Sequence, residues 1–251
     1  MIPLVVTARM ATGIAHASPW TPALDGILAA ELWHETKRHN PPATPALDAD
    51  DPPDIDLPLA RCTPTHGPWH WAATCAWPDP VPATPEIHTW TGRVDHRALE
   101  HLATTLPKII SDRQGRYRAR CMPLMVTTCR TLTWHAIGDP EAVSEILSGV
   151  RAIGKKRSQG EGVVLEWNVA PSDLDAFTAA HLYPTGRLGR PTPPGCLTTR
   201  PDLKEASALG YAGVRPPHMH PSRFHDLHLP APITVDDRCE PPQVWCRFLL
   251  S

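Results

Sequence analysis

Proline is the feature that most constrains the fold of this chain, because 31 of its 251 residues are proline. An average protein contains about 5% proline, less than half of this fraction. Each proline removes a backbone hydrogen-bond donor and fixes φ, so long helices must be few and irregular loops many. The chain also has 41% hydrophobic residues and nine tryptophans. We therefore expect a loop-rich globular protein rather than a low-complexity disordered chain.

Charge and hydropathy exclude several kinds of protein. The formal net charge is −2, so the chain as a whole does not attract nucleic acid, and any basic site must be local. The sequence has no run of about 18 apolar residues, which excludes a transmembrane helix. The N-terminal stretch has no charged residue ahead of its apolar part, which is not typical of a secretory signal. We expect a cytoplasmic protein that does not contact a membrane.

The cysteines are odd in number and irregular in spacing. Seven cysteines without a predicted signal peptide indicate reduced thiols in a cytosolic protein. One group has side chains that can ligate zinc, namely Cys62, His66, His70 and Cys75. Its spacing matches no common zinc finger, so we favour ordinary packed or exposed side chains. The sequence analysis therefore predicts no metal and no cofactor.

Hydrophobic patterning predicts two similar halves. Each half contains a strand, a helix and at least one further strand. Strands are predicted over 3–10, 59–78, 86–92, 121–135 and 163–169, and helices over 23–33 and from 139 to 149. Two β-α-β halves of this kind predict an α+β ferredoxin-like (RRM-like) sandwich, with a four-stranded antiparallel sheet and both helices on one face.

The predicted domain organisation has one core domain and one extension. Residues 1–170 form the ferredoxin-like domain, and 171–251 form a loop-rich C-terminal extension packed on it, with a strand only at 245–250. Two segments are inserted in the domain. The acidic segment, 41–58, has five aspartates and no basic residue, so we expect it to repel a polyanion and to point to solvent or to a protein partner. The second insertion is the basic segment, 113–130.

A glycine-rich loop at 153–163 is the strongest local signal. Glycines allow positive φ and a close approach of phosphate or ribose to the main chain, while cations attract a polyanion. A Walker loop and a dinucleotide fingerprint are excluded, since a strand rather than a helix follows. The alternative is a solvated basic turn. The candidate RNA-binding residues of this loop are Gly154, Lys155, Lys156, Arg157, Ser158, Gln159, Gly160 and Gly162.

The start of the basic segment carries four arginines and one tyrosine in eight residues. The planar guanidinium donates two hydrogen bonds to a phosphate at once, and a tyrosine ring can stack on a base. One interpretation is a basic thumb-like hairpin that lies along RNA, and the other is an exposed charged turn before a strand. The candidate residues are Arg113, Arg116, Tyr117, Arg118 and Arg120.

Four segments together resemble the CRISPR-associated RAMP superfamily. The glycine-rich loop, between the second helix and the last strand of a ferredoxin-like domain, is similar to the G-loop of that superfamily. Three further segments resemble the subunit of type IV CRISPR effector complexes that caps the 5′ handle of the guide RNA. They are the first strand at 3–12, LDGILA at 24–29 and GVRPPHMHP at 213–221. One departure is at His218 and Met219, where an aromatic pair is expected after the two prolines.

The resemblance implies a non-catalytic RNA-binding subunit of a ribonucleoprotein. Such a subunit holds the 5′ handle of a CRISPR RNA and contacts the first backbone subunit of the effector complex. Arg215, His218 and Arg223 are then further candidate RNA contacts.

Some members of the superfamily instead cleave precursor RNA, usually with a histidine that acts on the 2′-hydroxyl. A metal-independent endoribonuclease is therefore the alternative function. The histidines that could serve as the base are His16, His218, His220 and His225.

Overall fold

The computed structural model describes residues 1–39, 50–82, 84, 86–95, 97, 99, 101, 111, 113–114 and 117–233. These residues form an α+β fold with antiparallel sheets, as predicted. The strands are β1 (Ile2–Met10), β2 (Ile14–Ala15), β3 (Arg61–Cys62), β4 (His70–Trp71), β5 (Trp77–Asp79), β6 (Glu86–Gly92), β7 (Arg120–Thr127), β8 (Thr131–Gly138), β9 (Val164–Pro171), β10 (Leu209–Gly213) and β11 (Phe224–His228). The helices are α1 (Leu24–His39), α2 (Pro140–Ser148), α3 (Ala176–His181) and α4 (Pro201–Glu205).

The main sheet has the strand order β5-β8-β1-β9, and each neighbouring pair is antiparallel. In β1, the alternating residues Leu4, Val6 and Ala8 are fully buried, because successive side chains of a strand point to opposite faces. They share one core cluster with Leu28 of α1 and Leu147 of α2. Both helices therefore contribute to the core against which this face of the sheet packs.

Helix α2 begins where the sequence predicts it. The Asp139 carboxylate accepts hydrogen bonds from the backbone N–H groups of Glu141 (3.0 Å) and Ala142 (3.2 Å), as an N-cap does. Pro140 occupies the first turn and Gly149 caps the C-terminus. The glycine-rich loop then runs from α2 to β9.

Other elements differ from the predictions. The strand predicted over 59–78 is three short strands, since Pro64 and Pro68 interrupt it. The strand predicted over 121–135 is two strands in different sheets, because β7 pairs with β2 and β6 whereas β8 joins the main sheet. Helix α1 is longer than predicted, since it continues to His39.

The C-terminal extension contains more regular structure than predicted. Helix α3 lies against β8 and β1, and β10 pairs with β11 in an antiparallel hairpin. These elements have only five or six residues each, which is too short for hydrophobic periodicity to show. The strand predicted at 245–250 lies outside the described residues.

A buried arginine connects the extension to the rest of the fold. Arg190 is fully buried, and its guanidinium donates hydrogen bonds to the carbonyls of Trp71, Ala73 (2.6 Å) and Val214 (2.9 Å). Its Nη2 lies 3.6 Å from the carboxylate of Asp25 at the start of α1, which is also fully buried. Among the helices of the described residues, none is both long and apolar enough to span a membrane.

Candidate nucleic-acid interface

Three glycines of the glycine-rich loop have positive φ, namely Gly154 (82°), Gly160 (90°) and Gly162 (70°). A Cβ at Gly154 would lie 2.5 Å from the Ala15 carbonyl oxygen, and one at Gly162 would overlap the Ile153 carbonyl oxygen. Gly160 has no neighbour within 4 Å of its hypothetical Cβ. The predicted need for glycine is confirmed by the positive φ of all three residues. At Gly154 and Gly162, a side chain would also collide with a neighbouring carbonyl oxygen.

The main chain of the loop is fixed to the turn between β1 and β2. The N–H of Lys155 donates to the Ala15 carbonyl (2.8 Å), and the N–H of Gly162 donates to the Gly13 carbonyl (2.8 Å). The Thr12 hydroxyl donates to the Gly160 carbonyl (2.9 Å). The residues that lie exposed on this fixed backbone are Lys155, Arg157, Ser158, Gln159 and Gly160.

The hairpin of β6 and β7 contacts the loop. Lys156 is half-buried, and its Nζ lies 3.3 Å from the centroid of the Trp90 ring in a cation–π contact. His88 donates a hydrogen bond from Nδ1 to the Glu161 carboxylate (2.9 Å), and this contact raises the pKa of His88. The structure therefore places this hairpin beside the glycine-rich loop.

The basic segment leads into β7. Arg113, Arg118 and Arg120 are exposed, and Tyr117 is half-buried. Arg116 lies outside the described residues. The structure thus leaves three of the predicted arginines accessible at the hairpin that touches the glycine-rich loop.

A cleft of about 290 Å³ lies between α1, the glycine-rich loop and the late segment 213–221. Gly26 of α1, Gly154 and Arg157 of the loop, and His218 of the late segment all line it. A Cβ at Gly26 would lie 3.2 Å from the His218 ring, so this glycine permits the close approach of the late segment. Three segments that are distant in sequence thus share one cleft.

Asp25 holds the late segment beside α1. The His218 Nε2 lies 3.2 Å from the Asp25 carboxylate, and its Nδ1 donates to the Gly213 carbonyl (3.2 Å). Burial raises the pKa of Asp25, but His218 and Arg190 outweigh it and hold the pKa below its ordinary value. His218 therefore contacts a buried carboxylate as well as the cleft.

The other two predicted contacts in this region pair with the acidic segment instead. Arg215 lies 3.0 Å from the Asp54 carboxylate. Arg223 is buried, lies 3.0 Å from the same carboxylate, and donates to the Pro52 carbonyl. The described residues 50–58 thus pack on the molecule, with Leu57 buried. For residues 50–58, this corrects the expectation that the acidic segment points to solvent or to a protein partner, because Asp54 pairs with two arginines of the same chain. Residues 41–49 of the segment lie outside the described residues.

The histidines considered for RNA cleavage are placed differently. His16 is buried, its Nδ1 donates to the Ser18 carbonyl (2.7 Å), and its Nε2 accepts from the Thr127 hydroxyl (2.7 Å). His220 is buried and caps the 3-10 turn Pro221–Arg223. Burial lowers the pKa of both His16 and His225, and neighbouring arginines lower that of His225 further. His16 thus has no ring nitrogen directed at the surface.

The cysteines and histidines considered for zinc do not come together as a group. His66 is exposed, and Cys75 is buried beside Gly189, where burial raises its pKa. The structure instead gathers Cys62, His70, His181 and Cys196.

Within this cluster, the hydrogen bond between the two cysteines lowers the pKa of the Cys62 thiol and raises the pKa of the Cys196 thiol. Burial lowers the pKa of His70 to about 4, so the ring is neutral at neutral pH. The sequence analysis missed His181 and Cys196, because no spacing rule connects them to the first pair.

The sequence analysis also missed Trp90 and His88 as partners of the glycine-rich loop. Both residues lie in β6, two positions apart. This spacing places them on one face of a strand but does not identify the loop that they contact. No protein-family model matches this chain, and no curated protein sequence matches it.

Proposed function

We propose that this protein is a non-catalytic RNA-binding subunit of a type IV CRISPR ribonucleoprotein. It caps the 5′ handle of the CRISPR RNA, contacts the first backbone subunit and works in the cytoplasm. The observation that carries the proposal is the cleft. Three of the four segments on which the resemblance depends line it, namely LDGILA of α1, the glycine-rich loop and the late segment.

The sheet order supports a ferredoxin-like sandwich as the scaffold. The strands outside the main sheet before residue 171 are β2, β3, β4, β6 and β7. Without them, the chain runs β1, α1, β5, β8, α2, β9, and the sheet order is β5-β8-β1-β9. A β-α-β-β-α-β unit with antiparallel neighbours is the ferredoxin-like arrangement. The glycine-rich loop then occupies the position between the second helix and the last strand that the resemblance implies.

The distribution of charge supports RNA as the ligand. Lys155 and Arg157 are exposed on a backbone held by hydrogen bonds to the β1–β2 turn, so they can meet phosphates without ordering a loop first. Arg118 and Arg120 extend the exposed positive charge along the neighbouring hairpin. Phosphate contacts of this kind give affinity and register, while stacking and base contacts give sequence preference.

Purification from the native host tests the proposal. The tagged protein is isolated at moderate salt, and its bound RNA is sequenced with both ends mapped. We expect short RNAs that share one 5′ end. No RNA, or RNA with heterogeneous ends, would contradict the proposal. The synthesised RNA then serves as the probe for affinity measurements.

A cleavage assay distinguishes the proposal from the alternative function. Its substrate is the same RNA, extended by its upstream repeat sequence. We expect no cleavage when the pure protein is incubated with it in buffer without added divalent metal. Cleavage that His218→Ala abolishes would replace the proposal with the metal-independent endoribonuclease.

A further inference from the structure

The geometry points to a structural zinc site outside the cleft: we propose that one zinc ion is bound by Cys62, His70, His181 and Cys196. Two thiolates and two imidazoles are a donor set that binds Zn²⁺ in four-coordinate tetrahedral sites. The four donor atoms all lie within 4.8 Å of one another.

Three of the six distances between donor atoms are close to the edges of a zinc-centred tetrahedron. Bonds of about 2.3 Å to sulfur and 2.0–2.1 Å to nitrogen at tetrahedral angles separate two sulfurs by about 3.8 Å and a sulfur from a nitrogen by about 3.5 Å. The Cys62 and Cys196 sulfurs are 3.7 Å apart. The His181 Nε2 lies 3.7 Å from the Cys62 sulfur, and the His70 Nε2 lies 3.4 Å from that of Cys196.

Both histidines are oriented for metal binding by their other nitrogen. The Nδ1 of His70 donates to the Trp71 carbonyl (2.8 Å), and the Nδ1 of His181 donates to the Phe177 carbonyl (3.0 Å). These bonds fix the tautomer in which each Nε2 has a free lone pair, and each Nε2 faces the cluster. A backbone carbonyl on the second nitrogen is the usual support of a zinc-bound histidine.

The four ligands come from two distant parts of the chain. Cys62 and His70 are partners in the short antiparallel pair of β3 and β4. His181 is the last residue of α3, and Cys196 lies in the 3-10 turn Pro194–Leu197. A metal ion here would join the extension to the β3–β4 pair, which precedes β5 in the chain.

The hydrophobic core near the site is small. The buried cluster of this part of the extension is made of Leu182, Leu188, Leu197 and Leu203, with Phe177 packed against it. A core of this size rarely stabilises a segment alone, and small units commonly add a metal or disulfides. Four protein ligands leave no open position for a substrate, which makes the site structural, and the metal would add to the stabilisation of this part of the extension.

Metal analysis of the purified full chain, expressed with zinc in the medium, tests the site. We expect one zinc ion per chain. Replacement by Co²⁺ should give the intense ligand-field bands of a tetrahedral site, together with sulfur-to-metal charge transfer. Chelation should lower the Tm by about 10 °C, and added zinc should restore it.

Two variants and two matched controls identify the ligands. Cys196→Ser and His181→Ala should weaken zinc binding at least about a hundredfold, since loss of a supporting residue alone costs 10–100-fold. His66→Ala and Cys121→Ser change exposed residues outside the cluster and should keep full zinc content. If a ligand variant does not fold, the cobalt spectrum of the unchanged chain still shows whether a tetrahedral site with sulfur ligands is present.

Three results would overturn the proposal. The first is unchanged chain without zinc, and with no tetrahedral cobalt spectrum. The second is zinc loss in His66→Ala to the extent seen in His181→Ala. The third is a disulfide between Cys62 and Cys196 in protein purified under reducing conditions.

Discussion

The glycine-rich loop and the chain around the late segment 213–221 both carry arginine, yet their charges have different environments. In the loop, Arg157 is exposed, and the backbone N–H of Lys155 is bonded to the Ala15 carbonyl. Just after the late segment, Arg223 is buried against Asp54. The comparison teaches that an arginine beside a predicted site is available to RNA only if no carboxylate elsewhere in the chain has already paired with it.

The largest expected effect separates two glycines of the same loop. Gly162→Val should lower the free energy of unfolding by about 4 kcal/mol or more, because positive φ adds to an overlap with the Ile153 carbonyl. Gly160→Val is the matched control, with positive φ but open space, and should cost about 1–2 kcal/mol. Urea unfolding measures both, and equal losses would contradict the close packing of the loop.

Arg223→Ala tests the turn that follows the late segment. The substitution removes a buried side chain and its hydrogen bond to the Pro52 carbonyl, whereas the exposed Asp54 keeps Arg215 as a partner. The free energy of unfolding should therefore fall by about 2 kcal/mol. RNA affinity should stay within about twofold, because the side chain is buried.

The matched control for Arg223→Ala is Arg118→Ala, an exposed arginine of the basic segment. It should change stability by less than about 0.5 kcal/mol and should weaken RNA binding. If Arg223→Ala lowers RNA affinity more than Arg118→Ala does, the distinction between the two regions is wrong.

The third prediction concerns the cations of the loop. Changing Lys155, Lys156 and Arg157 together to Ala should lower RNA affinity about a hundredfold at physiological salt and reduce the salt slope by about 2, as expected when phosphate contacts are lost. Fluorescence anisotropy over a salt series measures both. The combined variant Arg38→Ala, Arg200→Ala and Lys204→Ala removes the same number of charges at exposed or half-buried positions outside the loop and is the control for net charge. A similar loss of affinity there would remove the loop from the interface.

The smallest effect is a pH dependence of the contact between hairpin and loop. The pKa of His88 is raised above its ordinary value, mainly by Glu161. Its contribution to stability is therefore complete below about pH 6.5, the unfolded value, and disappears as the pH rises through the folded pKa. Because the pair is exposed, we expect less than about 0.5 kcal/mol. NMR titration should show the raised pKa, and Glu161→Gln should lower it; an unchanged pKa in that variant would contradict the contact.

Much of the main sheet could be predicted because its signals are local. The alternation in β1 and the Asp139–Pro140 start of α2 depend on neighbouring residues alone. The short strands β3 and β4 and helix α3 could not be predicted, because two to six residues show no period. Their positions depend on tertiary contacts such as that of α3 with β8.

The candidate site was partly predictable for the same reason. The positive φ of Gly160 and Gly162 follows from composition and position, whereas the pairing of Arg223 with Asp54 joins residues that no local pattern connects. The cluster of Cys62, His70, His181 and Cys196 is the extreme case, since Cys62 and Cys196 are 134 residues apart. Two residues of the group considered from the sequence, Cys62 and His70, belong to this cluster, whereas His66 and Cys75 lie elsewhere, and the spacing of that group argued against a metal.

The buried Asp25 carboxylate has a consequence for how a ribosome can make this protein. Its two partners, Arg190 and His218, are translated long after it, the second of them 193 residues later. Burial of a carboxylate without such partners costs several kcal/mol or forces the group to take up a proton. Full docking of α1 on the sheet is therefore favourable only once residues far downstream have been made.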